Sequence, residues 1–223
     1  MISFLKKNQF LLFTINIIIM YVVGLVGILT SKDEISQLFF LSLTPLNLVV
    51  NILMLLSFHK NWNSTFVLST IFIALAGFFI EVIGVKTGAI FGNYFYGNSL
   101  GLKILEVPIM MALNWFLLIY CTATILYKVK NIFVFALIGA SIITLLDTLI
   151  EPLCSQLHFW FWQGNVPMQN FVAWFVIAFL LFLFYRKTNG NISNRYAFVV
   201  LALQFLFFGI LNLFRIYQPT FLH

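Results

Sequence analysis

Charge is what this chain has least of: Lys, Arg, Asp and Glu together make up 8% of its 223 residues. Soluble domains carry roughly 25%, so most of this surface is not built to face water. The net charge is +6, but the basic residues stand in ones and twos between apolar runs. That spacing excludes a phosphate-binding stripe, and with it a nucleic-acid partner. It is the spacing of membrane topology signals. Cysteine is limited to Cys121 and Cys154, in different segments and without Cys or His at zinc-ligand spacing, so neither a disulfide nor a zinc site is expected. Histidine is as scarce, and no H-x-x-x-H or H-x-x-H pair occurs. This argues against any metal centre, including the di-iron type of membrane oxygenase. P-loop, G-x-S-x-G and G-x-G-x-x-G motifs are absent, so no nucleotide or flavin reaction is supported and no cofactor is expected.

What the chain has in quantity is apolar surface: 62% hydrophobic residues, 28 of them Phe, and a mean hydropathy of +1.05. A spanning helix needs about 20 apolar residues. Seven runs qualify, at 9–30, 36–58, 64–84, 105–127, 131–151, 168–185 and 194–214. They predict an all-α, polytopic membrane helix bundle of about seven transmembrane helices, a single domain over 1–223. Lys6 and Lys7 precede an uncharged stretch, Asn8 to Ser31, too long for a signal peptide's apolar core. It reads as a first membrane helix that stays attached. Lys6, Lys7, Lys60, Lys128, Lys130, Arg186, Lys187 and Arg195 fall on one side; Lys32, Lys86, Lys103 and Arg215 fall on the other. Eight against four predicts a cytoplasmic amino terminus and an outer carboxyl terminus.

All six acids, Asp33, Glu34, Glu81, Glu106, Asp147 and Glu151, then lie on the outer side. The last four sit at the ends of apolar runs, where a carboxylate costs about 2.5–3.5 kcal/mol on insertion scales. Gathered at one face they read as a site. Asp147 and Glu151 are four apart and share a helix face. So close a pair repels when both are ionised, so one is expected to hold a proton. Glu81 is deeper than Lys86 and Lys103; the plainer alternative for it is a salt bridge to either. Glu106 reads as a first-turn carboxylate favoured by the helix dipole. Gly84, Gly88 and Gly92 repeat every fourth residue, a spacing that on a helix lets a second helix pack closely and in a loop permits turns and backbone approach to a ligand. Asn47, Asn51, Asn114, Asn170 and Gln204 are interhelical glue by default, although Asn114 and Asn170 lie near enough to the acids to hold a water. The outward loops 85–104 and 152–167 are rich in aromatics. Non-helical backbone at that depth must be buried or line a cavity, so both are expected to cap a pocket. His158 reads as an interfacial residue. The seventh span has no lysine, which argues against a retinal-binding rhodopsin.

The stretch from Glu81 through Gly84, Gly88, Phe91, Gly92, Tyr94 and Tyr96 resembles the signature of a membrane carotenoid-biosynthesis family. So do Leu100-Gly101-Leu102-Lys103, Val107-Pro108, Trp115, Asp147-Thr-Leu-Ile-Glu151-Pro152, Trp160-Phe-Trp162 and Pro167-Met-Gln-Asn170-Phe-Val-Ala-Trp174. The resemblance covers residues 81–174. The family includes carotenoid 1,2-hydratases of the bisanhydrobacterioruberin and gamma-carotene type. Membership implies cofactor-free addition of water to a terminal double bond of an acyclic carotenoid, giving a tertiary alcohol. Asp147 would donate the proton, kept on it by the neighbouring Glu151, and Glu81 would accept a proton from the water, or Glu81 and Asp147 would exchange these roles. Tyr94, Tyr96, Trp160, Trp162 and Trp174 would face the carbocation and substrate, and Asn170 or Asn114 would hold the water. The implied surroundings are membrane lipid, a polyene substrate, other enzymes of the pathway and a bacterial inner membrane. Two alternatives stay open: an end-group cyclase, which uses the same first proton, and a proton-coupled transporter of a lipid or small molecule.

Overall fold

Proline and glycine set the ends of the helices in the computed structural model, which describes residues 2–217 and the side chains of 8–214. Helix α1 spans Ile2–Thr30. The second apolar run is two helices, α2 (Glu34–Ser42) and α3 (Thr44–Ser57), rather than one. Pro45 lacks an amide hydrogen and is tolerated in a first turn, so the chain breaks at Leu43 and restarts. Together the two still make one crossing, Glu34–Ser57. Asp33 caps α2 by accepting from Ser36 N at 2.8 Å, and Asn63 caps α4 (Ser64–Thr87) by accepting from Phe66 N at 2.8 Å. Helix α4 ends at Gly88, whose φ of 64° is the left-handed conformation that favours glycine.

The fourth expected span begins later than its hydrophobicity implies. Residues 103–108 form a hairpin, β2 (Lys103–Ile104) against β3 (Val107–Pro108). Leu105 and Glu106 make its tight turn, with φ of 53° and 72°. Pro108 disfavours helical Val107 and stands as the N-cap of α5 (Ile109–Ile125). Glu106 is therefore an exposed turn residue, not a first-turn helix carboxylate. At 17 residues, α5 is about 25 Å long, short for a lipid-facing span. It does not need to face lipid: it packs against α3, α4, α6, α7 and α8, and Trp115 through Thr124 are all buried.

Helix α6 (Ile132–Ile150) continues into a short 3-10 turn, Glu151–Leu153. Helix α7 (Met168–Asn189) runs past the expected 185; Arg186 and Lys187 in its last turn suit the helix dipole. Helix α8 spans Arg195–Tyr217. Six described segments are long and apolar enough to cross a membrane, with α5 the shorter seventh. This is an all-α polytopic bundle of an integral membrane protein. Leu11, Ile15, Ile19, Val22 and Val26 on α1 are exposed, as a lipid-facing wall requires. Lys6, Lys7 and Arg215, invoked above for orientation, lie outside the described side chains.

Two tight contacts fix the interior. A side chain at Gly77 would collide with Trp115, and one at Gly139 with Phe182. These glycines let α5 close on α4 and α7 on α6. The repeat at Gly84, Gly88 and Gly92 serves the loop rather than helix packing. Gly84 makes room for Phe91 of the following loop, Gly88 ends α4, and Gly92 lies in the loop with φ 111° beside Pro167 and Trp162. None of the three seats a second helix.

Candidate active site beneath an aromatic lid

Tyr-Phe-Tyr and Trp-Phe-Trp alternate, and alternation places every second residue on one face of a strand. The two aromatic loops carry these triplets as β1 (Tyr94–Tyr96) and β4 (Trp160–Trp162), paired antiparallel with Tyr94 opposite Trp162 and Tyr96 opposite Trp160. Phe95 and Phe161 stack on the outer face at 5.3 Å between ring centroids. The four remaining rings turn inward, over the ends of α4 and α6. The loops thus cap the helix ends, as their composition suggests.

Beneath this lid lie three buried carboxyl groups, each only 2–5% exposed. Glu81, near the end of α4, accepts from Tyr94 Oη at 2.7 Å and Tyr96 Oη at 2.8 Å through Oε2, and from Trp115 Nε1 at 3.1 Å through Oε1. Burial and the neighbouring Glu81 carboxylate push both tyrosine phenols far above their ordinary range, so they remain donors. The salt-bridge alternative does not hold for Lys103, whose ammonium donates to Tyr96 O and to Asn98 instead. Glu151 accepts from Trp162 Nε1 at 2.7 Å and Trp160 Nε1 at 3.2 Å through Oε2. One residue, Asn170 on α7, joins the acids: its Nδ2 donates to Asp147 Oδ2 at 3.0 Å and to Glu151 Oε1 at 2.8 Å. Trp174, one turn on, stacks on Trp115 at 4.3 Å with 15° between the planes.

The donors are unevenly shared. An ionised carboxylate only accepts, and Glu81 and Glu151 each have three donors. Asp147 has one, and its buried Oδ1 has no partner among the described residues. A bare buried oxygen of an anion is costly. On a protonated acid the same oxygen can carry a transferable hydrogen. The arrangement therefore sets two carboxyl groups that each accept three hydrogen bonds apart from one, Asp147, with an oxygen left over.

Two cavities lie near the acids, and Asp147 is among the lining residues of neither. The smaller, about 10 Å³, is bordered by Glu81, Glu151, Asn170 and the lid rings; this is close to the minimum that holds one water. The larger, about 240 Å³, opens among α1, α3, α5, α6 and α8 and is mostly apolar. Asn114 lines this larger cavity rather than the acid cluster. Successive helix residues diverge by about 100°, and Trp115 takes the direction toward Glu81. Of the expected site residues, Glu81, Asp147, Glu151, Tyr94, Tyr96, Trp160, Trp162, Asn170 and Trp174 come together; Asn114 does not. Trp115 was the residue to add. Its signal was an indole at helix depth, whose N–H needs an acceptor.

The carotenoid biosynthesis protein family matches residues 40–223. Bisanhydrobacterioruberin hydratase of Haloarcula japonica is 28% identical over 130 residues, covering 52% of this chain and 44% of that protein. The aligned stretch thus spans less than half of that relative's length. No solved structure matches the chain.

Proposed function

The chain belongs to the carotenoid biosynthesis protein family, and from that premise we propose that it hydrates a terminal carbon–carbon double bond of an acyclic carotenoid, giving a tertiary alcohol. The observation that carries this reading is the uneven sharing of donors: Asp147 Oδ1 is buried and has no partner among the described residues, beside two carboxyl groups with three donors each. Asp147 protonates the less substituted alkene carbon, and the π electrons form the new C–H bond. The positive charge falls on the tertiary carbon. Indole and phenol faces of the lid stabilise it, and the charges of Glu81 and Glu151 add to this. Water in the small cavity attacks with its lone pair. Glu81 takes the proton the water loses, and returning a proton to Asp147 resets the site. The sum is one water added and nothing oxidised or reduced.

The larger cavity supports the same substrate. It is apolar, reaches Leu146 and Ile150 beside Asp147 on α6, and shares walls with the water-sized space. A polyene chain drawn from the lipid fits such a chamber, with its terminal double bond at the wall shared with the water-sized space. The hydratase named above supports hydration as the reaction class for this chain.

The test is expression in a lycopene-accumulating bacterium with mass analysis of the extracted pigment. The expected product is lycopene plus one or two waters. A ring-closed pigment of unchanged mass would identify a cyclase instead, and unaltered lycopene would sink the proposal for that substrate.

A further inference from the structure

Of the residues lining the two cavities, Met111 and Trp160 alone line both. Met111 is 4% exposed and Trp160 8%, so the wall they make is interior and packed from each side. On one side lie Glu81, Glu151 and Asn170, with room for about one water. On the other is a chamber of about 240 Å³. The two walls differ in stiffness. Trp160 is paired into β4, and its indole is tied to Glu151 at 3.2 Å. Met111 sits in the first turn of α5; its side chain is unbranched and has no hydrogen bond to hold it, which makes it the adaptable half.

A tertiary cation at a polyene end has two nucleophiles available. Water can add through its oxygen lone pair and lose a proton to a carboxylate. Alternatively, an internal double bond of the same chain can give its π pair to the cation, forming a ring C–C bond. A proton then leaves to a carboxylate, and the mass is unchanged. The second course requires the chain to curl back on itself, which takes space beside the cation. The small cavity has none to spare, and the large one is separated from it by Met111.

We propose that Met111 is a specificity-determining residue: with Trp160 it admits the terminal isoprene only in extended form, so that water is the one nucleophile within reach. This inference rests on the hydration reading above and assigns the control of its outcome to one side chain.

Substitution at Met111 tests it in the lycopene-producing host, with hydrated and ring-closed pigments separated and weighed. Met111→Ala removes the partition's flexible half. The ring-closed fraction should rise about tenfold relative to hydrate, as expected when a few methylene-sized contacts decide between outcomes. Met111→Trp thickens the wall and holds the polyene end away from the water, so hydrate should fall with no ring-closed pigment in its place. A purely structural role for Met111 would lower total conversion in both variants without moving the ratio. An unchanged product ratio in Met111→Ala overturns the proposal. Should that variant not accumulate in the membrane, Met111→Val decides by the same ratio, with a smaller expected rise. Absence of hydrate from the wild-type protein is a different failure: it removes the hydration reading itself.

Discussion

Asn170 has two amide hydrogens and gives them to two different acids, Asp147 at 3.0 Å and Glu151 at 2.8 Å. That shared donor holds the pair together while leaving Asp147 Oδ1 bare. Asp147→Asn keeps the shape and removes the transferable proton. Hydrated pigment should fall about 10²-fold or more, the usual weight of a positioned acid. Glu81→Gln keeps its size but puts an amide among three donors, and should cost a similar factor. Full product from both variants would end the proposed mechanism. Cys154 offers a check that does not depend on activity. Burial pushes its thiol up to about 12, so it is not a thiolate near pH 8, and the thiolate is the reactive form. The folded protein should resist maleimide at this position and react once denatured. Fast labelling of the native protein at Cys154 would show that the end of α6 is more open than its packing implies.

At the scale of elements, the six long crossings were legible because 20-residue apolar runs admit few other structures. The site was legible in part because buried acids are costly and therefore rare. What could not be read were pairings between distant segments. Tyr94–Tyr96 and Trp160–Trp162 alternate visibly, yet nothing local says that these two short strands pair with each other. Asn114 and Trp115 are neighbours in sequence, and only packing against Gly77 decides which of them turns toward Glu81. The connection between α3 and α4 held another surprise. His59 is buried, its Nδ1 2.7 Å from Tyr120 Oη, and its ring is stacked on Phe66 at 3.8 Å. Burial holds this imidazole below its usual value, so the folded state keeps it neutral. The unfolded chain binds a proton below about pH 6.5. Stability should therefore fall as pH drops below about 6.5, until the folded imidazole also protonates. Thermal unfolding in detergent at pH 5.5 and 7.5, compared with His59→Gln, measures it. The wild type should lose more than the variant on acidification; equal losses would mean that His59 does not contribute.

For the whole molecule, the two ends of the bundle differ in charge and in what they bury. The end opposite the acids exposes Lys60, Lys128, Lys130, Lys187 and Arg195. Arg186 belongs to this end too, but it acts as a clamp: its guanidinium donates to the Val129 and Leu126 carbonyls and lies 3.7 Å from the Phe135 ring centroid. A charge held this way serves packing as well as topology. The site end has Lys32, Lys86 and Lys103, and Lys103 is bonded to the lid strand through Tyr96 O. From the remaining asymmetry we propose that the first end is cytoplasmic; the acids and their lid would then lie on the outer face. Because both native cysteines are buried, single added cysteines can report the orientation without background. Asn61 and Asn165 are exposed at opposite ends of the bundle. In intact cells a membrane-impermeant maleimide should label Asn165→Cys and leave Asn61→Cys unmodified until the membrane is permeabilised. The reverse pattern would turn the protein over, and the polyene end would then meet its water from the cytoplasmic side.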